Sequence, residues 1–124
     1  MSKWTNDELR KAGAAEELQL ASLRRDGTTR APVTIWVVRY GDDLFVRSVN
    51  GRSASWFRGV KDRHEGHIQA GGVDKDVTFV ETNGDVDEEL DDAYRVKYRR
   101  HVQSIIDHVT SPAARSATLK LVPR

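Results

Sequence analysis

The sequence predicts a mainly β fold with flanking helices, in which about six mostly antiparallel strands form a small barrel. Several short segments are rich in β-branched and aromatic residues and are separated by turn residues, as is typical of strands joined by hairpins. The chain has 124 residues, which suits a single domain over 1–124. So many short strands in so short a chain favour closure of the sheet into a barrel.

The first predicted elements are a helix and a strand. Thr5 and Glu8 have the spacing of a capping box, in which each side chain accepts a hydrogen bond from the backbone amide of the other residue. This pattern predicts a helix from about Asn6 to Gly13. Polar and apolar residues alternate over 17–23, so we expect a strand there, although a helix also fits the segment.

The strongest strand signal is Val33–Val38, in which every residue is β-branched or aromatic. Leu44–Val49 is a second predicted strand, and the short turn between the two indicates an antiparallel hairpin. Side chains alternate between the two faces of a strand, so Phe45 and Arg47 share one face. We expect that face to meet a polar group near Arg47.

The second half of the chain predicts a further hairpin, helices and a last strand. Its acidic residues after the hairpin suit the start of a helix, and its apolar residues then recur every three or four positions. The predicted elements are a short helix capped by Ser53, strands over 64–70 and 76–81, one amphipathic helix over 94–109 and a strand over 118–122.

Composition excludes several classes of protein and of site. Lys and Arg number 20 and Asp and Glu number 19, which argues against a whole-surface nucleic-acid binder. The absence of cysteine excludes disulfides, thiol catalysis and Cys-based metal sites. No apolar stretch approaches the ~18 residues that a membrane span needs, and the N-terminus lacks the apolar core of a signal peptide. We therefore expect a cytoplasmic protein that binds neither nucleic acid nor membrane.

The near-zero net charge conceals three charged blocks. Residues 24–63 include nine basic and four acidic residues, 74–92 include nine acidic and one basic, and 93–124 include seven basic and one acidic. Separate solvated faces would explain this layout. The alternative is that the first basic block forms a site for a small anionic ligand.

A first candidate anion site is the loop before the strongest strand. Thr28, Thr29 and Arg30 lie in this loop and offer two hydroxyls, backbone amides and a guanidinium. Such donors suit a phosphate or a carboxylate, which Arg binds bidentately. The alternative is a surface loop that carries an arginine without a ligand.

A second candidate is the segment after the second strand of the hairpin. Its glycine allows a ligand to approach the backbone closely, and the N-terminus of the helix that follows attracts anions. The alternative is an ordinary short helix whose aromatic residues pack in the core. The candidate ligand contacts in this segment are Ser48, Asn50, Gly51, Ser55, Trp56 and Arg58.

No constellation of side chains predicts unaided catalysis or metal binding. His64 and His67 lack the spacing of a zinc site. The chain has no P-loop, Rossmann or nucleophile-elbow motif. An enzyme with this sequence would rely on a cofactor for its chemistry, and no catalytic residue is assigned.

The two candidate loops and the strands beside them resemble those of the FMN-binding split β-barrel superfamily. That superfamily includes pyridoxamine-phosphate oxidases and F420-dependent nitroreductase-like proteins. The resemblance lies in 27–33, the hairpin 36–49, Ser48-x-Asn50-Gly51 with 55–58, and 119–124. The chain resembles most of all the bacterial DUF2255 family, through Trp4-Thr5, 33–38, 48–58 and 71–77.

This resemblance implies a split β-barrel homodimer with FMN or F420 in a groove near the subunit interface. Arg24 and Arg25 stand where the nitroreductase-like members usually carry a lysine. The resemblance implies that Arg30 contacts the phosphate or acidic tail of the cofactor. The other residues that it implies along the phosphate or the ring are Ser48, Asn50, Gly51, Ser55, Trp56 and Arg58.

The expected function is therefore that of a flavin- or deazaflavin-binding oxidoreductase-like protein with an unknown substrate. Two alternatives stay open. One is a split-barrel module that binds a small anionic ligand without redox turnover, and the other is a structural dimer without a cofactor.

Overall fold

Seven antiparallel strands form one sheet in the computed structural model of the chain, which describes residues 3–124. Their order across the sheet is β2-β1-β5-β6-β7-β4-β3, so the last strand of the chain lies near the middle. The mainly β fold is confirmed, with one strand more than expected. The strands are β1 Leu18–Ser22, β2 Val33–Ile35, β3 Val38–Tyr40, β4 Asp43–Arg47, β5 Glu65–Ala70, β6 Val73–Glu81 and β7 Thr118–Pro123.

The helices flank this sheet, and the first of them has the predicted capping box. Thr5 Oγ1 accepts from the Glu8 amide at 3.1 Å, and Glu8 Oε1 accepts from the Thr5 amide at 2.9 Å. None of the helices in residues 3–124 is long and apolar enough to cross a membrane. The helices are α1 Asn6–Ala14, α2 Ser55–Val60, α3 Asp87–Lys97, α4 Gln103–Val109 and α5 Pro112–Arg115, with a 3-10 turn at Gly51–Ser53 before α2.

Two predictions about the helices are wrong. The amphipathic helix expected over 94–109 is broken between Tyr98 and Val102, where Val102 has a non-helical ψ of 137° and occupies the N-cap position of α4. The chain changes direction after the buried Tyr98, so α4 does not continue the buried face of α3. Ile105 is therefore 45% exposed. Ser53 does not cap α2, because the N-cap position belongs to Ala54, which has no side-chain acceptor.

The sheet curls because its two edge strands are consecutive in the chain. Only Trp36 and Val37 separate the end of β2 from the start of β3, although these strands lie at opposite edges. Three Cα steps span at most about 11 Å. The two edges must therefore approach each other, which gives the predicted split barrel.

The single strand predicted over Val33–Val38 is therefore wrong. The chain leaves one edge of the sheet after Ile35 and joins the other edge at Val38. Val37, in between, is fully buried in the barrel core. Its β-branched neighbours carry the strand signal on both sides, but the pattern does not show that they pair with different strands.

The segment Trp36–Val37, by which the chain passes from one edge of the sheet to the other, is called the crossing. Tyr98 and Lys97, at the end of α3, hold the crossing in place. The Tyr98 hydroxyl accepts from the Val37 amide at 3.1 Å and donates to the Glu16 carbonyl at 2.8 Å. Its ring stacks on Trp36, with centroids 3.8 Å apart and planes 3° from parallel. Lys97 Nζ donates to the Val37 carbonyl at 2.5 Å, and burial lowers the pKa of Lys97 to about 8.

The apolar residues form two clusters, one on each face of the sheet. The larger cluster fills the barrel and includes Leu20, Val37, Phe57 and Phe79. The smaller one lies between the outer face of β3 and β4 and the buried side of α3. The sheet therefore has one face that encloses the core and one that is covered in part by helices.

Arg47 meets the polar group that its position on β4 predicts. Its Nη1 lies 2.5 Å from Oδ1 of Asp91, and both side chains are almost fully buried. Arg115 Nε donates to the second oxygen of Asp91 at 3.0 Å. Burial acts to raise the pKa of Asp91, but the hydrogen bonds from Arg115 and Arg47 outweigh it and hold that pKa below its usual range.

We expect Tyr98→Phe to destabilise the protein by about 1–3 kcal/mol, because it leaves the buried Val37 amide without an acceptor. The matched control is Tyr40→Phe, whose side chain is 43% exposed and should be neutral. The measurement is the free energy of unfolding in urea. Equal free energies for the two variants would contradict the role given to Tyr98.

We expect Arg47→Met to cost about 3–5 kcal/mol of unfolding free energy, since it leaves the buried Asp91 carboxylate without its fully buried partner. The matched control is Arg95→Met on the same helix as Asp91. Arg95 pairs with Asp92 at 3.1 Å on the surface, where ion pairs contribute about 0–1 kcal/mol. A loss no larger than that of the control would show that the Arg47 pair does not stabilise α3.

Candidate functional site

Two adjoining depressions beside α2 share Trp56, and together we call them the Trp56 groove. The first, of about 310 Å3, is lined by the polar side chains of Arg24, Arg30 and Ser55 and by apolar groups of β1 and β2. The second, of about 180 Å3, is mainly apolar and lies along β2, α4 and the end of β4. Trp56 thus separates a basic end from an apolar end.

Arg30, at the basic end, is already engaged by its own chain. Its Nη2 lies 2.5 Å from Oδ2 of Asp62, and Nη1 donates to the carbonyls of Leu23 at 3.0 Å and Gly59 at 3.3 Å. A Cβ at Gly59 would lie 3.1 Å from Arg30 Nε, so glycine gives the guanidinium room against α2. Arg30 therefore ties the loop before β2 to α2, with its charge balanced by Asp62.

Arg24 lines the same end of the groove and has no carboxylate partner among residues 3–124. Its Nη1 donates to Thr28 Oγ1 at 3.3 Å and to the Thr29 carbonyl at 3.1 Å, which are neutral acceptors. Arg24 therefore forms no direct ion pair in this part of the chain, and the carboxylate whose pKa its charge helps to lower is that of Asp26, beyond Thr28. Sequence analysis did not select Arg24 as a site residue, although its place in the first basic block was a signal for it.

Thr28 and Thr29 lie outside the lining of the groove, in the loop that Arg24 spans. The Thr28 amide and hydroxyl donate to Oδ1 of Asp26 at 2.9 and 2.7 Å. These hydrogen bonds lower the pKa of Asp26. Both threonines are exposed on the outer side of the loop.

Ser48, Asn50 and Gly51 lie together at a second turn, apart from the groove lining. Ser48 is buried, and its hydroxyl donates to the Gly51 carbonyl at 2.7 Å. Gly51 has φ +81°, and a Cβ there would lie 3.3 Å from the Cβ of Ala113. The close approach at Gly51 is thus to α5, while the Asn50 side chain is exposed.

The residues of α2 divide between the groove and the surface. Ser55 and Trp56 line the groove, and Phe57 is fully buried in the core. Arg58 is exposed and forms no ion pair within residues 3–124. Arg52, just before α2, binds Glu81 Oε1 at 2.8 Å and the Ser116 carbonyl at 2.8 Å, so it faces its own chain.

The apolar end of the groove presents flat and aliphatic surfaces. Trp36 and Trp56 contribute aromatic rings, and Val49 and Ile105 are partly exposed beside them. Arg47 reaches its inner wall, where its charge is balanced by Asp91. This arrangement suits a ligand with a planar apolar part and an anionic part, placed on the two sides of Trp56.

Residues 3–124 contain no cluster of three or more His, Asp or Glu side chains able to hold a metal ion. His67 is the most engaged histidine, with Asp74 and Asp76 at its two ring nitrogens. The hydrogen bonds that His67 donates to Asp76 and to Asp74 raise its pKa despite partial burial. This group lies on the outer face of β5 and β6, away from Trp56.

Comparison with families of known sequence now identifies the chain. The profile of a family described as "Uncharacterized protein conserved in bacteria (DUF2255)" matches residues 8–121. The chain belongs to the DUF2255 family. No curated protein matches it.

Solved structures share the fold of this DUF2255 protein at low sequence identity. An F420-H2-dependent reductase (FDR-A) is 17% identical with a TM-score of 0.62, over 86% of this chain and 93% of that one. HutZ, the heme storage protein of Vibrio cholerae, is 16% identical with a TM-score of 0.63, over 96% and 89%. ChuZ of Campylobacter jejuni is 14% identical with a TM-score of 0.68, over 95% and 52%. These likenesses establish the split-barrel fold.

We expect Arg30→Met to lower stability at neutral pH more than the matched control Arg58→Met, because Arg30 binds Asp62 and two carbonyls. Arg30 holds the pKa of Asp62 below its usual 3.8, so this contribution is present above about pH 4 and is lost as the pH falls below it. The measurement is the urea midpoint of both variants at pH 7 and near pH 2.5. A gap that does not narrow in acid would contradict this assignment.

Proposed function

We propose that the Trp56 groove binds a flavin or deazaflavin, FMN or F420, and that the protein acts as an oxidoreductase on a substrate still to be identified. The observation that carries this proposal is the division of the groove by Trp56. Arg24, which has no direct ion-pair partner in residues 3–124, lies on one side, and two tryptophan rings with aliphatic neighbours lie on the other. Both cofactors combine an anionic tail with a planar ring system, so the residues present fit them.

The basic end would hold the anionic tail. Arg24 is the strongest candidate, because its charge has no carboxylate partner within residues 3–124. Arg30 and Ser55 would add hydrogen bonds, and Arg58 would contribute charge from the exposed side of α2. A guanidinium forms charge-assisted hydrogen bonds to phosphate or carboxylate that are roughly twice as strong as neutral ones.

The apolar end would hold the ring. Trp56 and Trp36 offer aromatic surfaces for offset stacking, and Ile35 and Val109 exclude water beside them. Hydride transfer is the chemistry that the cofactor supplies when bound. The chain's own residues would bind it, orient its ring and shield one side of the ring from solvent.

The remaining candidate residues belong to the loops beside the groove. Thr28, Thr29 and Asn50 have exposed side chains that we propose contact a ligand extending beyond the first depression. Ser48 and Gly51 are buried and would act by shaping their turn. Their proposed role is therefore less direct than that of Ser55 and Trp56.

We further propose that a second copy of the chain completes the groove. Ile105 and Val49 expose apolar surface at its rim, and Val102 is exposed on the same helix end. The outer edge of β2 is also unpaired within residues 3–124. One structure that shares the fold is described as a domain-swapped dimer, which supports a homodimer.

Titration of the purified protein with FMN and with F420 tests this function. We expect Arg24→Met to weaken the Kd of the preferred cofactor by about tenfold, through the loss of a charge-assisted hydrogen bond. Trp56→Ala should weaken it at least as much. The matched control is Arg100→Met, an exposed arginine beyond α3, which should leave the Kd unchanged. Cofactor fluorescence and calorimetry give the Kd.

The outcomes separate the candidate functions. No binding of either cofactor by calorimetry would refute the proposal. Binding of inorganic phosphate that depends on Arg24, without binding of either cofactor, would favour the module that binds a small anionic ligand without redox turnover.

A further inference from the structure

A cleft larger than either part of the Trp56 groove lies on the outer face of the barrel. Its volume is about 470 Å3, and it shares no lining residue with the Trp56 groove. Outward-facing residues of β4, β7 and β6 form its floor. The turn between β3 and β4 forms one wall, and the loop between β6 and α3 forms the other.

The floor of the cleft places a lysine between two apolar side chains. Phe45, Lys120 and Val80 are neighbours on three adjacent strands, since Lys120 pairs in register with both of the others. Val80 remains 40% exposed, whereas Phe45 is only 4% exposed because it also packs in the smaller apolar cluster. Lys120 forms no ion pair with any residue from 3 to 124, so its ammonium group has no compensating carboxylate at contact distance.

The walls carry the opposite charge. Asp42 in the turn and Asp43 at the start of β4 lie on one side, and Asp85 lies in the loop on the other. None of the three forms an ion pair in the described part of the chain. Glu81, which also lines the cleft, is different because Arg52 binds it at 2.8 Å. Tyr40 adds an exposed aromatic ring to the wall that holds the two aspartates.

The cleft therefore contains unbalanced charges of both signs around an apolar floor. A simple carboxylate would neutralise Lys120 but would face the aspartates of both walls. A simple amine would be attracted by the walls but repelled by Lys120. A molecule with a carboxylate and an ammonium group on the same carbon satisfies both, and an apolar side chain on it would cover the exposed Val80 and Tyr40.

We propose that this outer cleft binds an α-amino acid with a large apolar side chain. The carboxylate of the ligand pairs with Lys120, its ammonium group pairs with Asp43 and its neighbouring acids, and its side chain packs on Val80 and Tyr40. Both charges of the ligand are needed, which distinguishes the cleft from a general anion or cation site. This site is independent of the cofactor proposed for the Trp56 groove.

The test is a titration of isotope-labelled protein, followed by the amide resonances of the cleft, with three related probes. L-phenylalanine carries both charges, 3-phenylpropionate carries only the carboxylate and 2-phenylethylamine carries only the ammonium group. We expect L-phenylalanine to bind with a Kd of about 1 mM or tighter. Each singly charged probe should bind at least about fivefold more weakly, since it leaves a charge of the cleft unpaired.

Two variants of the cleft complete the experiment. Lys120→Met and Asp43→Asn should each weaken L-phenylalanine at least about fivefold, because each removes one charge pair. The matched control is Asp92→Asn, an exposed aspartate of α3 outside the cleft, which should bind as the unmodified protein does. Thermal unfolding of each variant verifies that its fold is intact.

Three results would overturn the proposal. The first is no saturable binding of L-phenylalanine. The second is tighter binding of 2-phenylethylamine than of L-phenylalanine, with a further gain in Lys120→Met, which would make the cleft a cation site. The third is binding of L-phenylalanine that perturbs the amides around Trp56 and leaves those of the cleft unchanged. None of these results bears on cofactor binding in the Trp56 groove.

Discussion

The two-residue crossing at Trp36 and Val37 is the constraint on which the rest of the structure depends. It joins strands at opposite edges of one sheet, so the sheet has to curl and its inner face has to close around a core. Closure buries Val37 and aligns Trp36 with Tyr98, which α3 supplies. The apolar end of the Trp56 groove lies directly beside this crossing, because Trp36 lines it. The contacts that close the barrel therefore also position Trp36 in the candidate site.

The buried pair of Arg47 and Asp91 fixes the helices against the outer face of the sheet. Asp91 receives Arg47 from β4 and Arg115 from α5, so one carboxylate joins the sheet to two helices. Arg47 also donates to Thr118 Oγ1 at 3.0 Å, at the start of β7. Charges buried in this way are tolerated only when each is paired and hydrogen-bonded. The inner wall of the groove is consequently rigid, and its arginine is not available to a ligand.

Local patterns were sufficient for the capping box of α1, the hairpin of β5 and β6 and the polar contact of Arg47, because turn residues and strand alternation determine these features over a few positions. Local patterns were insufficient where contacts between residues distant in the chain determine where a strand or a helix ends. The strand break at Trp36 and the helix break after Tyr98 both follow from the meeting of α3 with the crossing, which no local pattern encodes. Arg30 was selected for its chemistry, but its pairing with Asp62 depends on a contact 32 positions away.

The central place of β7 also determines when the barrel can form. β6 and β4 have no direct pairing, and each forms its ladder with residues 118–123 instead. A nascent chain that ends before this segment has two separate partial sheets, each with an unpaired edge. Trp4 Nε1 also donates to the Leu121 carbonyl at 2.9 Å, so the packing of the first helix awaits the same residues. We therefore expect the barrel to close only after synthesis of these residues, and its strand edges to be open to aggregation until then.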